Sequence, residues 1–78
     1  MEFKIKLNKT DDAVIIANAA SKYSADIDVK SCTRHYVVDA CSVMGILSLM
    51  SDTVVVVSTA DAEVGEKLKN DLIKYVVE

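Results

Sequence analysis

Few residues in this chain could carry chemistry, and their spacing narrows what that chemistry could be. Cys32 and Cys41 are the two thiols and His35 is the single imidazole. A zinc site needs four ligands, and two cysteines without C-x-x-C spacing plus one histidine can hardly supply them. No metal and no cofactor is therefore expected. Parity alone allows a disulfide, and the alternative is two reduced, partly buried thiols, which an expected cytoplasmic setting favours. Cys41 then reads as a small apolar filler. Asp11 and Asp12 are adjacent at a predicted helix start. Neighbours on a helix point in different directions, so they form no general acid/base pair. The segment Lys9-Thr10-Asp11-Asp12 reads as a solvated, capped helix start. No catalytic set emerges, and the chain is expected not to be an enzyme.

Two further residues need elements to place them. His35 falls at the start of a predicted strand, away from any helix N-terminus, where an ordinary strand-end histidine is the plain reading. Ser42 precedes Val43-Met-Gly-Ile-Leu-Ser-Leu49, so it is placed to cap a short helix that Gly45 weakens.

The elements follow from periodicity. Phe3, Ile5 and Leu7 alternate with Glu2, Lys4 and Lys6, giving a half-buried strand over Met1–Leu7. Thr10 is expected to cap a helix running to about Tyr23, with Ala13, Ile16, Ala17, Ala20 and Tyr23 on one stripe. Asp26–Lys30 and His35–Val38 read as a hairpin around the polar stretch Ser31–Arg34. The β-branched run Val54–Val57 reads as a central strand. Asp61 caps a last helix carrying Val64, Leu68, Leu72, Tyr75 and Val76. The order βαββαβα, with two strands polar on one face, predicts an α+β open-faced β-sandwich. It has a four-stranded antiparallel sheet and three helices on one face.

Composition bounds the rest. Seventy-eight residues make one domain, 1–78. A chain of that size buries only about 60–65% of its unfolded surface. Nine basic against twelve acidic residues, with no basic block, argue against nucleic acid or a charged membrane surface as partner. No signal-like or spanning segment is visible, so a cytoplasmic protein is expected.

Two stretches carry a family resemblance. Ala20-Ser-Lys-Tyr-Ser-Ala-Asp-Ile27 is similar to the end of the first helix and the second strand of HPr, the histidine-containing phosphocarrier protein of the bacterial sugar phosphotransferase system. Asp39-Ala-Cys-Ser-Val-Met-Gly-Ile-Leu-Ser-Leu49 resembles that family's Asn-Ala-Lys-Ser-Ile-Met-Gly-Ile-Met-Ser-Leu. Its skeleton is Ser-x-x-Gly-x-x-Ser-Leu, at the right place in the element order. The resemblance implies the fold just described. It also implies Ser42 as a candidate regulatory phosphosite, and Val43, Met44 and Leu47 as a partner-docking patch. The partners it implies are enzyme I, sugar permease components, HPr kinase or a transcriptional regulator. From periodicity alone, those three side chains are equally compatible with core.

The departures are as informative as the matches. The family carries its phosphoryl group on a histidine at the start of the first helix, followed by an arginine and a proline. Anchored on Ser21-Lys22-Tyr23, the histidine position falls on Lys9, the arginine position on Asp11 and the proline position on Asp12. A protonated amine is a poor phosphoryl acceptor, and two carboxylates repel an incoming phosphate. Cys41 also replaces the basic residue that usually precedes the serine. The resemblance therefore implies an HPr-like protein that is not a phosphohistidine carrier and acts by protein–protein contact in carbon regulation. The alternatives are a phosphocarrier with a non-standard acceptor, His35 or Lys9, and an HPr-fold binding domain outside the phosphotransferase system.

Overall fold

The alternation of Phe3, Ile5 and Leu7 builds β1 (Glu2–Lys6), the first element of a computed structural model that describes residues 1–33, 36–50 and 52–77. It is followed by α1 (Thr10–Ala20), β2 (Ile27–Ser31), β3 (Val37–Asp39), α2 (Val43–Ser48), β4 (Val54–Thr59), α3 (Ala62–Asp71) and β5 (Val76–Val77). The sheet order is β3-β2-β4-β1-β5, and every neighbouring pair is antiparallel. The β-branched run of β4 lies at the centre. It pairs with β1 from Val54↔Lys6 to Ser58↔Glu2, and with β2 from Val55↔Ser31 to Thr59↔Ile27.

Register decides which side chains form the core. Phe3, Ile5, Ile27, Val29, Val55 and Val57 are buried on one face against Ala13, Ile16, Ala17 and Ala20 of α1, Ile46 of α2 and Leu68 of α3. The three alanines shorten the stripe of α1 and let its backbone lie close to the sheet. The other face carries Glu2, Lys4, Lys6, Asp28, Lys30, Val54 and Val56, and no described helix covers it. This is the open-faced α+β sandwich that the pattern predicts.

Four details correct the sequence reading. The sheet has five strands, because the last helix stops at Asp71 and Leu72 closes it. Tyr75 N–H then bonds Leu72 O at 2.8 Å, and Val76 and Val77 pair with Ile5 and Lys4. Leu72, Tyr75 and Val76 keep helical spacing only because Val76 returns its side chain to the same core from a strand. The first helix ends at Ala20 instead of Tyr23; Ser21 Oγ donates to Ala17 O at 2.7 Å and the chain turns away. Lys9, not Thr10, is the N-cap residue.

The fourth concerns the thiols, which are both free and exposed, so neither is a buried filler. Cys32 follows the far end of β2, whereas Cys41 lies beyond Ala40, whose N–H bonds Ile27 O at the near end. About four residues of strand at roughly 3.3 Å each separate those ends. A disulfide requires Cα atoms within about 7 Å, so the register excludes a staple between them.

The register is testable at neighbouring valines. Val57→Thr puts a hydroxyl into a side-chain site that is 1% exposed. It is expected to cost on the order of 2 kcal/mol in urea denaturation. Val54→Thr, on the open face, is expected to stay within about 0.5 kcal/mol of the parent. Equal losses at both positions would contradict the register.

Candidate functional site

The resemblance directs attention to the starts of α1 and α2. At α1 the N-cap residue Lys9 has extended backbone (φ −148°, ψ 163°), so the chain turns sharply into the helix. Its side chain has no oxygen with which to cap. Asp12, in the first turn, does that work from inside the helix: its Oδ2 accepts the N–H of Asn8 at 2.8 Å and of Lys9 at 3.1 Å. This is the return half of a capping box, in which a carboxylate three residues in satisfies the donor at the cap. The expectation of a solvated start therefore holds for Asp11, which is exposed, and fails for Asp12, which is 2% exposed.

The Asp12 carboxyl is held below its ordinary range. The Asn8 N–H is the largest cause, assisted by the Lys9 N–H, the Lys9 charge and the Tyr75 hydroxyl, while burial works in the opposite direction. Tyr75 is pushed up, by burial first and then by the charge and hydrogen bonding of Asp12. Asp12 and Tyr75 thus link the β1–α1 turn to the segment that leads into β5. Lys6 N–H also bonds Tyr75 O at 2.8 Å.

The start of α2 is built differently. Asp39 Oδ1 accepts the Cys41 N–H at 2.8 Å, and Asp39 O accepts the Ser42 N–H at 3.0 Å. That double turn sets Ser42 in extended backbone (φ −97°, ψ 108°), where its Oγ accepts the Gly45 N–H at 3.1 Å. Gly45 has a packing reason to lack a side chain. A Cβ there would lie 2.9 Å from Val38 Cβ and 3.2 Å from Ser42 Oγ, so α2 could not sit on β3 with its cap intact. Ile46 and Leu49 are wholly buried, and Met50 packs partly against the core.

The three residues of the implied patch are not equivalent. Met44 is 81% exposed and Leu47 is at the edge of exposure at 37%, whereas Val43 is half-buried against the core. Val14 and Ile15 of α1, which packs against α2, are exposed apolar side chains that the sequence reading did not single out. Their signal was available, because both fall off the Ala13-Ile16-Ala17-Ala20 stripe. His35 lies outside the described residues. Among the described residues, no group of three or more His, Cys, Asp or Glu could hold a metal ion, and no helix is long and apolar enough to cross a membrane. A cavity of about 320 Å³ lies beside the turn into α2, lined by Ala25, Asp26, Ile27, Asp28, Asp39 and Cys41.

Neither a protein-family model nor a curated protein sequence matches this chain. Solved structures do. HPr from Thermoanaerobacter tengcongensis, crystallised as HPr-C-His, superposes with a TM-score of 0.72 at 30% identity, over 95% of this chain and 92% of its own. The chain belongs to the HPr family. The phosphocarrier protein HPr from Bacillus anthracis str. Ames has the same fold, with a TM-score of 0.71 at 20% identity, over 96% and 95% of the two chains. Within an HPr fold, this chain closes the start of α1 with its own carboxylate and leaves Met44 outward on α2.

Asp12 makes a pH prediction with a definite sign. Its folded carboxyl lies below the unfolded value of about 3.9. The stability it contributes is therefore complete above that value and is lost as pH falls through the folded one. Asp12→Asn should lower stability at pH 7 by about 1–3 kcal/mol and flatten the acid limb of the stability curve. Equal acid limbs in parent and variant, measured by urea denaturation between pH 2 and 7, would contradict the assignment.

Proposed function

We propose that this HPr-family protein is not a phosphohistidine carrier and acts by protein–protein contact through α2, in phosphotransferase-linked carbon regulation. The observation that carries the proposal is the start of α1, which has no imidazole and carries two carboxylates. A phosphoryl acceptor there needs a nucleophilic nitrogen and unpaired donors to meet the incoming charge. Residues 1–23 contain no histidine. The N–H groups of Asn8 and Lys9 already bind Asp12, and Asp11 adds a second negative charge beside them. Repulsion and the missing nitrogen act in the same direction.

What remains is a contact surface. Met44 and Leu47 offer flexible and branched apolar contact on a short helix, and a methionine-bearing patch suits adaptable recognition. The partners that fit are those of the family: enzyme I, permease components, HPr kinase or a transcriptional regulator. Ser42 supports a regulatory extension of the same reading. A phosphate on an N-cap oxygen meets the N–H groups that the cap already addresses, so the helix tolerates the added charge. By this reading the protein is neither an enzyme nor a nucleic-acid or membrane binder, and it works in the cytoplasm.

Incubation with enzyme I and phosphoenolpyruvate is expected to leave no acid-labile phosphate on the chain. Label mapped to His35 or Lys9 would favour a non-standard carrier instead. With ATP and HPr kinase, the parent is expected to take up acid-stable phosphate and Ser42→Ala none. Equal uptake by both would dismiss Ser42.

The docking role of α2 is tested separately. Met44→Asp is expected to weaken partner binding at least tenfold while changing stability by no more than about 0.5 kcal/mol. Unchanged affinity for enzyme I and HPr kinase in calorimetry would remove Met44 from the surface.

A further inference from the structure

The chain holds three methionines, and the fold gives their sulfurs different surroundings. Met1 packs against the core beside α3. A Cβ added at Gly65 would stand 2.6 Å from Met1 Sδ, so that thioether rests on the helix backbone. Met50 follows the end of α2 and also packs partly against the core. Met44 does neither. It is 81% exposed, on the helix proposed to dock partners. The contacts that hold α2 run elsewhere. Ile46 and Leu49 are wholly buried, Gly45 lies against Val38, and Ser42 Oγ accepts the Gly45 N–H at 3.1 Å.

A thioether is an apolar group whose polarity can be changed and then restored. Its sulfur lone pair attacks one oxygen of a peroxide, so an S–O bond forms, the O–O bond breaks and water leaves. Sulfur gives up two electrons and the peroxide accepts them. A dithiol reverses the step, removing the oxygen as water and becoming a disulfide. Susceptibility follows exposure, which sets Met44 apart from Met1 and Met50. The sulfoxide replaces a flexible apolar contact with a strong hydrogen-bond acceptor, and an apolar partner surface leaves that acceptor unpaired.

We propose that Met44 is a reversible oxidation site, and that its sulfoxide releases a partner from α2 while the fold stays intact. The selectivity rests on burial alone; the release rests on the docking role of α2. Cap, glycine contact and buried side chains are untouched by an oxygen on Met44, so the helix keeps its place.

Cys32 and Cys41 are exposed thiols that consume the same oxidant, so the test uses the Cys32→Ser/Cys41→Ser chain. It is treated with hydrogen peroxide and sampled over time. Peptide mass mapping reads the sulfoxide at each methionine, and calorimetry reads affinity for enzyme I and HPr kinase. Met44 is expected to oxidise about fivefold faster than Met1 and Met50, with the circular dichroism spectrum unchanged when its conversion is complete. Affinity is expected to fall about tenfold in step with the Met44 sulfoxide. It should return after treatment with methionine sulfoxide reductases for both epimers and a dithiol. Met44 oxidising no faster than Met50 would overturn the site and leave the docking role standing. Undiminished affinity at full Met44 conversion, or a lost circular dichroism signal, would overturn the switch. An untreated chain that binds neither protein would overturn the docking reading and the release with it, while the order of oxidation would still decide the site.

Discussion

The Asp12 carboxylate accepts the backbone N–H groups of Asn8 and Lys9 while almost wholly buried, and three parts of the fold meet at that contact. It fixes the turn from β1 into α1, and so the angle at which the alanine stripe reaches the sheet. It faces Tyr75, whose carbonyl holds Lys6 at the end of β1 and whose successor opens β5. A buried charge is tolerated only where hydrogen bonds replace its water. Here the chain's own amides supply them. The same arrangement places a buried negative charge in the first turn of α1.

The two helix starts are therefore opposite solutions to one problem. Each must satisfy N–H groups that the helix leaves unpaired. At α1 an internal carboxylate does so and adds negative charge. At α2 a neutral hydroxyl does so and leaves the charge state open. The apolar exposure follows the second: Met44 stands out two residues from Ser42 because Ile46 and Leu49 must face the sheet, and Gly45 lets the helix approach Val38.

Most of the architecture was legible because its determinants are local. Period-two alternation located β1 and β2, the β-branched run located the central strand, and the alanine stripe located the buried side of α1. The misses have long-range causes. Nothing within residues 72–77 distinguishes a helix end from an edge strand, since pairing with Ile5 and Lys4 decides it. The buried Asp12 is hydrogen-bonded by Tyr75, sixty-three residues away in the chain (75 − 12 = 63). Thr10 satisfied the rule for a cap, but the turn begins one residue earlier. The free thiols agree with the expectation, whereas their exposure comes from their places, Cys32 just past β2 and Cys41 in the turn before α2.

The occupied start of α1 is tested most directly at the Asp12 carboxyl itself, by following its carbon resonance and the Asn8 and Lys9 amide protons through an acid titration in NMR. A midpoint below the ordinary aspartate value of about 3.9, with both amide signals moving on the same curve, is the predicted result. A midpoint at or above that value, with the two amides unmoved, would mean that the carboxylate does not hold the helix start and that the site is open.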